Sequence, residues 1–339
     1  MEPVDALRRI AFLLERSQAA TYRVKAFRTA AEAIGTMDGQ ELADRVARGS
    51  LESVRGIGPK TAQVIREAAE GATPGYLERL EEEAPAPLVA GGDSLLAALR
   101  GDCHLHSDWS DGGSPIDEMG RTAAELGHEW AVLTDHSPRL TVANGLSTDR
   151  LLRQLDVVAE LNERWAPFRL LTGIECDILD DGSLDQEADV LECLDVVVVS
   201  VHSKLRMDSA AMTRRMVAAA RNPHADILGH CTGRLLGGKK RPESTYDAEE
   251  VFAACAESGT AVEINCRPER LDPPRGLLRQ AVASGVLFSV DTDAHAPGQL
   301  DWQPYGCARA EECGVPAERV VTTWPMDRLL EWTGHGKHR

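Results

Sequence analysis

The sequence predicts an α/β protein, a parallel barrel of seven strands preceded by a small all-helical domain. Three observations carry that expectation. From residue 101 onward, seven short β-rich runs alternate with longer stretches of helical periodicity, the rhythm of βα units closing a parallel sheet. Before residue 84 the apolar spacing is helical throughout. Between the two, Glu81-Glu82-Glu83-Ala84-Pro85-Ala86-Pro87 and Gly91-Gly92 break the pattern and read as a linker. The expected organisation is a helical domain over 1–84, a linker over 85–100 and the barrel over 101–339.

In the first segment Val4, Leu7, Ala11 and Leu14 recur at spacings of three and four, as do Val24, Phe27, Ala31 and Ile34, one face of a helix in each case. Gly56-Ile57-Gly58-Pro59-Lys60 separates two further helical patterns, the second ending near Ala69. Glycines at such a turn let backbone approach closely, and helix N-terminal amides can hold a phosphate. In the second segment the predicted strands are Cys103–His106, Trp130–Asp135, Leu170–Ile178, Val196–His202, Ala225–His230, Ala261–Cys266 and Leu287–Asp293. Leu151–Trp165 and Met212–Arg221 are among the helices between them.

A net charge of −17 excludes a nonspecific DNA coat, which needs a basic surface. The charge is unevenly divided. Residues 1–90 carry 12 Lys and Arg against 14 Asp and Glu, and residues 91–339 carry 25 against 40, so the acidity belongs to the barrel. No run approaches ~18 uninterrupted apolar residues, so no membrane span is expected. Ile10–Leu14 meets Glu15 and is too short for a signal peptide, which makes the cytoplasm the expected location. The eight cysteines include no C-x-x-C pair and are expected to be reduced core residues.

The chemistry lies at the strand ends. His104-Leu105-His106 closes the first run, with Asp111 shortly after, and Asp135-His136 closes the second. Glu175 sits in the third, His202 and His230 end the fourth and fifth, and the last leads through Asp291 and Asp293 to His295. Alternation puts His104 with His106, and Asp293 with His295, on one face. In a parallel barrel all strand C-termini open on one rim. Any one of these histidines alone would read as a core or surface residue. Six together, beside carboxylates, suit Zn, Mn or Fe. The nine donors His104, His106, Asp111, His136, Glu175, His202, His230, Asp293 and His295 exceed the needs of one tetrahedral ion, so two to three divalent metals are expected. His128, His224, His335 and His338 lack this setting and are expected at the surface.

These residues carry a family resemblance. Through Asp102–Gly112, Leu133–Ser137, Gly173–Leu179, Ser200–Ser203, Asn222–Gly237, Glu263–Asn265 and Asp291–His295, the segment from Gly101 to Trp332 resembles the polymerase and histidinol phosphatase (PHP) domain. It resembles especially the one at the C-terminus of bacterial family X DNA polymerases. The resemblance implies a distorted seven-stranded barrel of PHP type and a trinuclear metal site. His104, His106, Glu175 and Asp293 would hold one ion. Glu175 would bridge to a second, held also by His202 and His230, and Asp111, His136 and His295 would hold the third. Such a centre polarises phosphoryl oxygens and activates water, so the reaction class is phosphoester hydrolysis. Glu175, His202, Arg234 and Arg267 form the expected catalytic group, with Lys204, Lys239, Lys240 and Arg241 as further cations near the motifs. Asp135 is expected to orient a ligand from behind, and Asp291 either does the same or is a polar barrel residue.

Residues 4–80, with Tyr22–Ala31 and the glycine turn, resemble the small N-terminal DNA-binding domain of family X polymerases, a helix–hairpin–helix. Lys25, Arg28, Gly56, Gly58, Lys60 and Arg66 are the expected backbone contacts to DNA. Two departures matter. Val64 stands where family members with deoxyribose-phosphate lyase activity have a lysine, and a Schiff base needs an amine. The polymerase palm is missing, since the linker leads straight into the barrel. The expectation is a metal-dependent phosphoesterase acting on DNA, a 3′–5′ exonuclease or 3′-end processing hydrolase in DNA repair, with DNA and a phosphate ester as partners. The alternatives are a small-molecule phosphatase of the histidinol-phosphatase type and a noncatalytic DNA-tethered accessory protein. The complete donor set disfavours the last.

Overall fold

The computed structural model describes residues 1–84, 86–238 and 240–334; Lys239, His335 and His338 lie outside them. The chain divides into two compact units, Met1–Ala86 and Pro87–Arg339.

The first unit is helical: α1 (Pro3–Arg16), α2 (Thr21–Gly35), α3 (Gly39–Ala47), α4 (Pro59–Ala69) and α5 (Gly75–Glu83). Each of α1, α2 and α4 buries the stripe its sequence spacing marks, Leu7, Ile10 and Leu14 against Phe27, Ile34, Ala62 and Ile65, and this shared burial is what stabilises such short helices. Asp38 caps α3 by accepting from the Gln40 and Glu41 amides. The turn before α4 needs its first glycine. Gly56 has φ +93°, and a Cβ there would stand 2.5 Å from Thr29 Cγ2. Gly58 is in extended backbone and caps α4, with Pro59 in the first turn.

The second unit opens with α6 (Asp93–Ala98), which corrects the expectation of a linker through residue 100. Leu95 is buried there and Leu96 packs on the barrel's helical layer, so the stretch has apolar contacts to hold it. Seven strands follow: β1 (Gly101–Leu105), β2 (Trp130–Leu133), β3 (Arg169–Asp177), β4 (Val196–Ser200), β5 (Ile227–Leu228), β6 (Ala261–Asn265) and β7 (Phe288–Asp291). They pair in sequence order, all parallel. Between β7 and β1 the closure continues past the last strand. His106 N donates to Ala294 O at 2.8 Å and Cys103 N to Asp291 Oδ1 at 2.8 Å. The result is a nearly closed seven-stranded barrel. Helices α7 (Ile116–Glu125), α8 (Thr148–Trp165), α9 (Ala188–Leu191), α10 (Ser209–Ala220), α11 (Ala248–Ser258), α12 (Arg275–Ala283) and α13 (Gln303–Cys313) connect or flank the strands, and α14 (Met326–Gly334) ends the described chain.

Both faces of the strands are covered, which is why they read as unbroken apolar runs rather than alternating ones. Val197, Val199, Val262 and Ile264 pack under the helices. Leu171, Val196, Val198 and Ala261 pack with Trp130 and Trp324 in a second cluster. Further along the same strand faces come Glu175, Ser200, Glu263 and Asn265, all buried, so the interior changes from apolar to polar towards the strand C-termini. All eight cysteines are free. Seven are buried, and Cys193 is exposed, a correction to its expected place in the core. No described helix is long and apolar enough to cross a membrane.

Candidate metal centre

The strand C-termini and the loops just beyond them bring the nine expected donors to one rim, with Glu175 at the centre. Its Oε2 lies 2.9 Å from His136 Nδ1, 3.3 Å from His104 Nε2 and 3.5 Å from His106 Nε2. Its Oε1 lies 2.8 Å from His230 Nε2 and 3.2 Å from His202 Nε2. Asp293 Oδ1 is 3.5 Å from both His106 Nε2 and His295 Nδ1. Asp111, on the loop after β1 and the most open of the set at 37% side-chain exposure, lies 3.4 Å from His136 Nε2 and 3.3 Å from His295 Nε2.

The donor chemistry fits divalent ions. Three groups have donor atoms within 4.8 Å of one another: His106, Asp111, His136 and His295; His104, His106 and Glu175; and His136, Glu175 and His202. These groupings share His106 and His136, whereas the resemblance gave each of those residues to one ion. Buried Nε2 of His104, both ring nitrogens of His106 and His202, Nδ1 of His136 and of His230, and Oε2 of Glu175 have no hydrogen-bond partner among the described residues. Buried polar atoms are otherwise almost always paired. Of these unpartnered atoms, Nε2 of His104, His106 and His202 and Nδ1 of His136 stand 2.9–3.5 Å from a Glu175 oxygen yet form no hydrogen bond, so their lone pairs converge on common points, which suits a shared cation.

The electrostatics are those of crowded charges: burial favours neutral rings, but Glu175 overcomes it and raises His104, His136 (to about 10) and His202. Burial works to raise the Glu175 carboxyl, but His202, His104 and His136 overcome it and hold it well below the usual carboxylate range. Asp293 is likewise held down against burial, by Arg267 and His104. Burial, then the neighbouring His295 and His136, push His106 well below the usual histidine value, toward the neutral form that ligates metal.

A second layer of partners orients the donors. Glu263, wholly buried on β6, accepts from His104 Nδ1 at 2.6 Å, the carboxylate–histidine arrangement that fixes a ligand's tautomer. Asn265 bridges Glu263 and Asp293 at 3.2 and 3.1 Å. Asp177 Oδ1 lies 3.4 Å from His202 Nδ1. None of these three was given a role from sequence, although strand alternation from Glu175 and from the Glu263–Asn265 motif points to them. Asp135, expected behind a ligand, acts through a loop rather than on a donor side chain. It accepts from Ser107 N at 2.8 Å and Gln154 Nε2 at 2.7 Å, and from the Ser107 and Ser110 hydroxyls. It therefore braces the loop that carries Asp111. Asp291 accepts from Cys103 and helps close the barrel, and burial, then Asp102 and Glu263, raise its carboxyl well above the usual range.

The cations divide sharply. Arg267 Nη1 reaches His295 Nδ1 at 2.8 Å and Asp293 O at 3.0 Å, inside the site. Arg234 is turned away from the expected role. Its guanidinium donates to Arg270 O at 2.9 Å, to Leu271 O and to Glu243, so it clamps the turn after β6. That turn supplies Arg270, which sequence reasoning missed. Arg270 Nε lies 3.2 Å from Asp293 Oδ2, and its buried Nε and Nη1 have no hydrogen-bond partner among the described residues. Its only sequence signal was a place five residues beyond Asn265. Lys204 is exposed and pairs with Asp180, and Arg241 donates to Gly233 O.

In the helical unit, Lys25 and Lys60 are exposed, Arg66 is half-buried, and Gly56 and Gly58 flank the turn before α4. Arg28 is not available to DNA. It makes a paired contact with the buried Glu15 at 2.9 and 2.7 Å. Another cluster forms around Tyr76, which stacks on Phe27. Arg23 donates to its hydroxyl at 2.8 Å, and Lys60 and Arg79 lie 5.3 and 5.7 Å from its ring centre.

Residues 1–73 match the helix-hairpin-helix domain family and residues 102–267 the PHP domain family. DNA polymerase/3′-5′ exonuclease PolX of Bacillus subtilis (strain 168) is 38% identical over 226 residues, 67% of this chain and 39% of that protein. The chain thus spans about two fifths of that relative's length. A protein named "probable phosphatase" from Thermoanaerobacter sp. (strain X514) is 29% identical over 250 residues, 70% of this chain and 96% of that protein. Among solved structures, histidinol phosphate phosphatase of Lactococcus lactis, complexed with zinc, L-histidinol and phosphate, is 18% identical, with a TM-score of 0.46 over 63% of this chain and 94% of that one.

Proposed function

Because this chain belongs to the PHP phosphoesterases and carries a helix–hairpin–helix domain ahead of its barrel, we propose that it hydrolyses phosphoesters of DNA, as a 3′–5′ exonuclease or 3′-end processing enzyme in DNA repair. The observation that carries this reading is the pairing of a DNA-binding type of domain with a rim where one buried carboxylate faces five histidines. Two to three divalent ions, Zn, Mn or Fe, would be held by His104, His106, Asp111, His136, Glu175, His202, His230, Asp293 and His295. Bound there, such ions supply the charge that polarises a phosphoryl oxygen and eases ionisation of water.

The chain's own residues do the rest. Glu175 offers one oxygen to each side of the cluster. Glu263 fixes the ring of His104, and Asp177 stands beside that of His202. Arg267 and Arg270 stand beside Asp293 with guanidinium groups that match phosphate geometry. Arg234 positions Arg270 through the carbonyls of its turn. Lys25 and Lys60, with the amides at the start of α4, would meet the DNA backbone, joined by Arg23 and Arg79 of the Tyr76 cluster.

A small-molecule phosphatase is the second reading. The similarity to a phosphatase-named protein over 96% of its length and the acidity of the barrel favour it. Metal-loaded protein assayed side by side on 3′-labelled DNA and histidinol phosphate tests the two. Release of 3′-terminal nucleotides or 3′-phosphate supports the first, and turnover confined to histidinol phosphate overturns it.

A further inference from the structure

None of the metal-centre donors lines a cavity of about 330 Å³ in the barrel unit. Its walls are the 89–91 segment, Leu271, the start of α12 and one face of α13. On that face Tyr305, Ala308, Arg309 and Glu312 follow helical spacing, i, i+3, i+4 and i+7. Arg309 is only 3% exposed. Its Nη2 donates to Pro273 O, but its Nε and Nη1 are buried with no hydrogen-bond partner among the described residues.

A guanidinium in this state is under strong electrostatic demand. It does not readily lose its proton, and a buried charge without a partner is costly. Burial lowers the Arg309 pKa to about 10, and the nearby Arg234 adds to the effect. The carboxylates in the wall are already committed. Glu312 pairs with Arg275 at 2.6 Å, and Glu311 accepts from the Gly92 amide. Buried Asp272 acts on Arg309 electrostatically, but its oxygens accept from Thr232, and no described residue hydrogen-bonds Nε or Nη1, which leaves those donors to an anion from outside the chain. The cavity stands near the lower end of the ~300–1,000 Å³ range of small-molecule sites, and Leu271, Tyr305 and Ala308 give it an apolar side.

We propose that this cavity is a second binding site, taking a phosphate oxyanion, free or carried by a small molecule such as a mononucleotide, with Arg309 as its anchor. The proposal does not depend on which ester the metal centre cleaves. Leu271 in its wall follows Arg270 directly, so an occupant packs against the turn that presents Arg270 to Asp293.

Calorimetric titration of the full-length, metal-loaded protein with inorganic phosphate and separately with AMP tests this. Phosphate also reaches the metal centre as a product, so the readout is the number of equivalents bound. Wild type should take up one more equivalent than Arg309→Met, or bind it roughly 10- to 100-fold more tightly, as expected for loss of charge-assisted hydrogen bonds. Ala308→Leu, which narrows the cavity and leaves the Arg309–Pro273 contact alone, should lose the same equivalent. Inhibition of aryl phosphate hydrolysis by phosphate should be unchanged in both variants. Equal affinity for the two probes identifies the free oxyanion as the ligand, and tighter binding of AMP identifies a nucleotide. Identical stoichiometry and identical affinity in wild type and both variants would overturn the proposal and leave Arg309 a structural residue.

Discussion

At the scale of single residues, position within the rim predicts the size of an effect. Glu175 touches both sides of the cluster, whereas Glu263 acts on it through His104. Glu263→Gln should therefore weaken metal binding by about 10- to 100-fold, the usual cost of losing a partner that orients a ligand. Glu175→Gln should cost more and leave protein deficient in metal even at saturating supply. Elemental analysis of the two purified variants separates them, and equal metal content would refute the central role of Glu175. His128 shows where reading residues singly falls short. Gly127 and Glu129 suggest an exposed polar turn, but residues of α6 and the 300–304 stretch, distant in sequence, line a small cavity with the ring. Its Nε2 is buried without a hydrogen-bond partner among the described residues, and burial lowers its pKa to about 4. Between that value and the unfolded value of ~6.5 the unfolded chain binds more protons, so stability falls as pH drops through this window and is unaffected above it. Melting temperature should decline more steeply from pH 6.5 to 4 in wild type than in His128→Gln. Parallel declines would show that the ring is solvated.

At the scale of elements, the glycine turn makes the sharpest prediction, because its two glycines do different things. Gly56 holds a left-handed φ with Thr29 against its α-carbon, whereas Gly58 has ordinary extended backbone and open space around it. Gly56→Val should destabilise the helical unit by about 1–3 kcal/mol. Gly58→Ser supplies a good N-cap and should be neutral or slightly stabilising. Thermal melts of both variants decide, and equal losses would mean that the turn tolerates either side chain. All seven strands lie within or overlap the predicted runs because β-branched residues buried on both faces leave a strong local signal. The strand ends were less legible. The fifth run shrinks to Ile227–Leu228, where the chain leaves the sheet to deliver His230. Helix α6 was lost in an assumed linker, since its six residues give too little periodicity to read. The nine donors were legible because they sit beside strand ends. Arg270 and the cavity anchored by Arg309 depend on how the turn after β6 packs against α13, which no local pattern encodes.

At the scale of the whole molecule, the helical unit and the barrel fold as separate compact bodies and should be separable in function. Removing residues 1–86 should leave hydrolysis of a small aryl phosphate nearly intact, because every donor of the rim lies in the other unit. On DNA the truncated protein should show a raised KM with little change in kcat, the pattern of lost uniform binding. The loss has an upper limit. Residues 1–90 carry a slight excess of acid and Arg28 is tied to Glu15, so the proposed DNA contacts reduce to a local group around Lys25, Lys60 and the Tyr76 cluster. If about three of the four cations Lys25, Lys60, Arg23 and Arg79 reach a phosphate, a 10- to 100-fold effect at low salt follows. Each contact contributes a slope of ~0.9 in log affinity against log salt. A fourfold rise in salt should therefore remove roughly 40-fold of the advantage and bring full-length and truncated proteins together. KM for labelled DNA, measured for both proteins across a salt series, supplies the comparison. If truncation leaves it unchanged at low salt, the helical unit does not serve DNA, and hydrolysis of a small phosphate ester becomes the better account of the barrel.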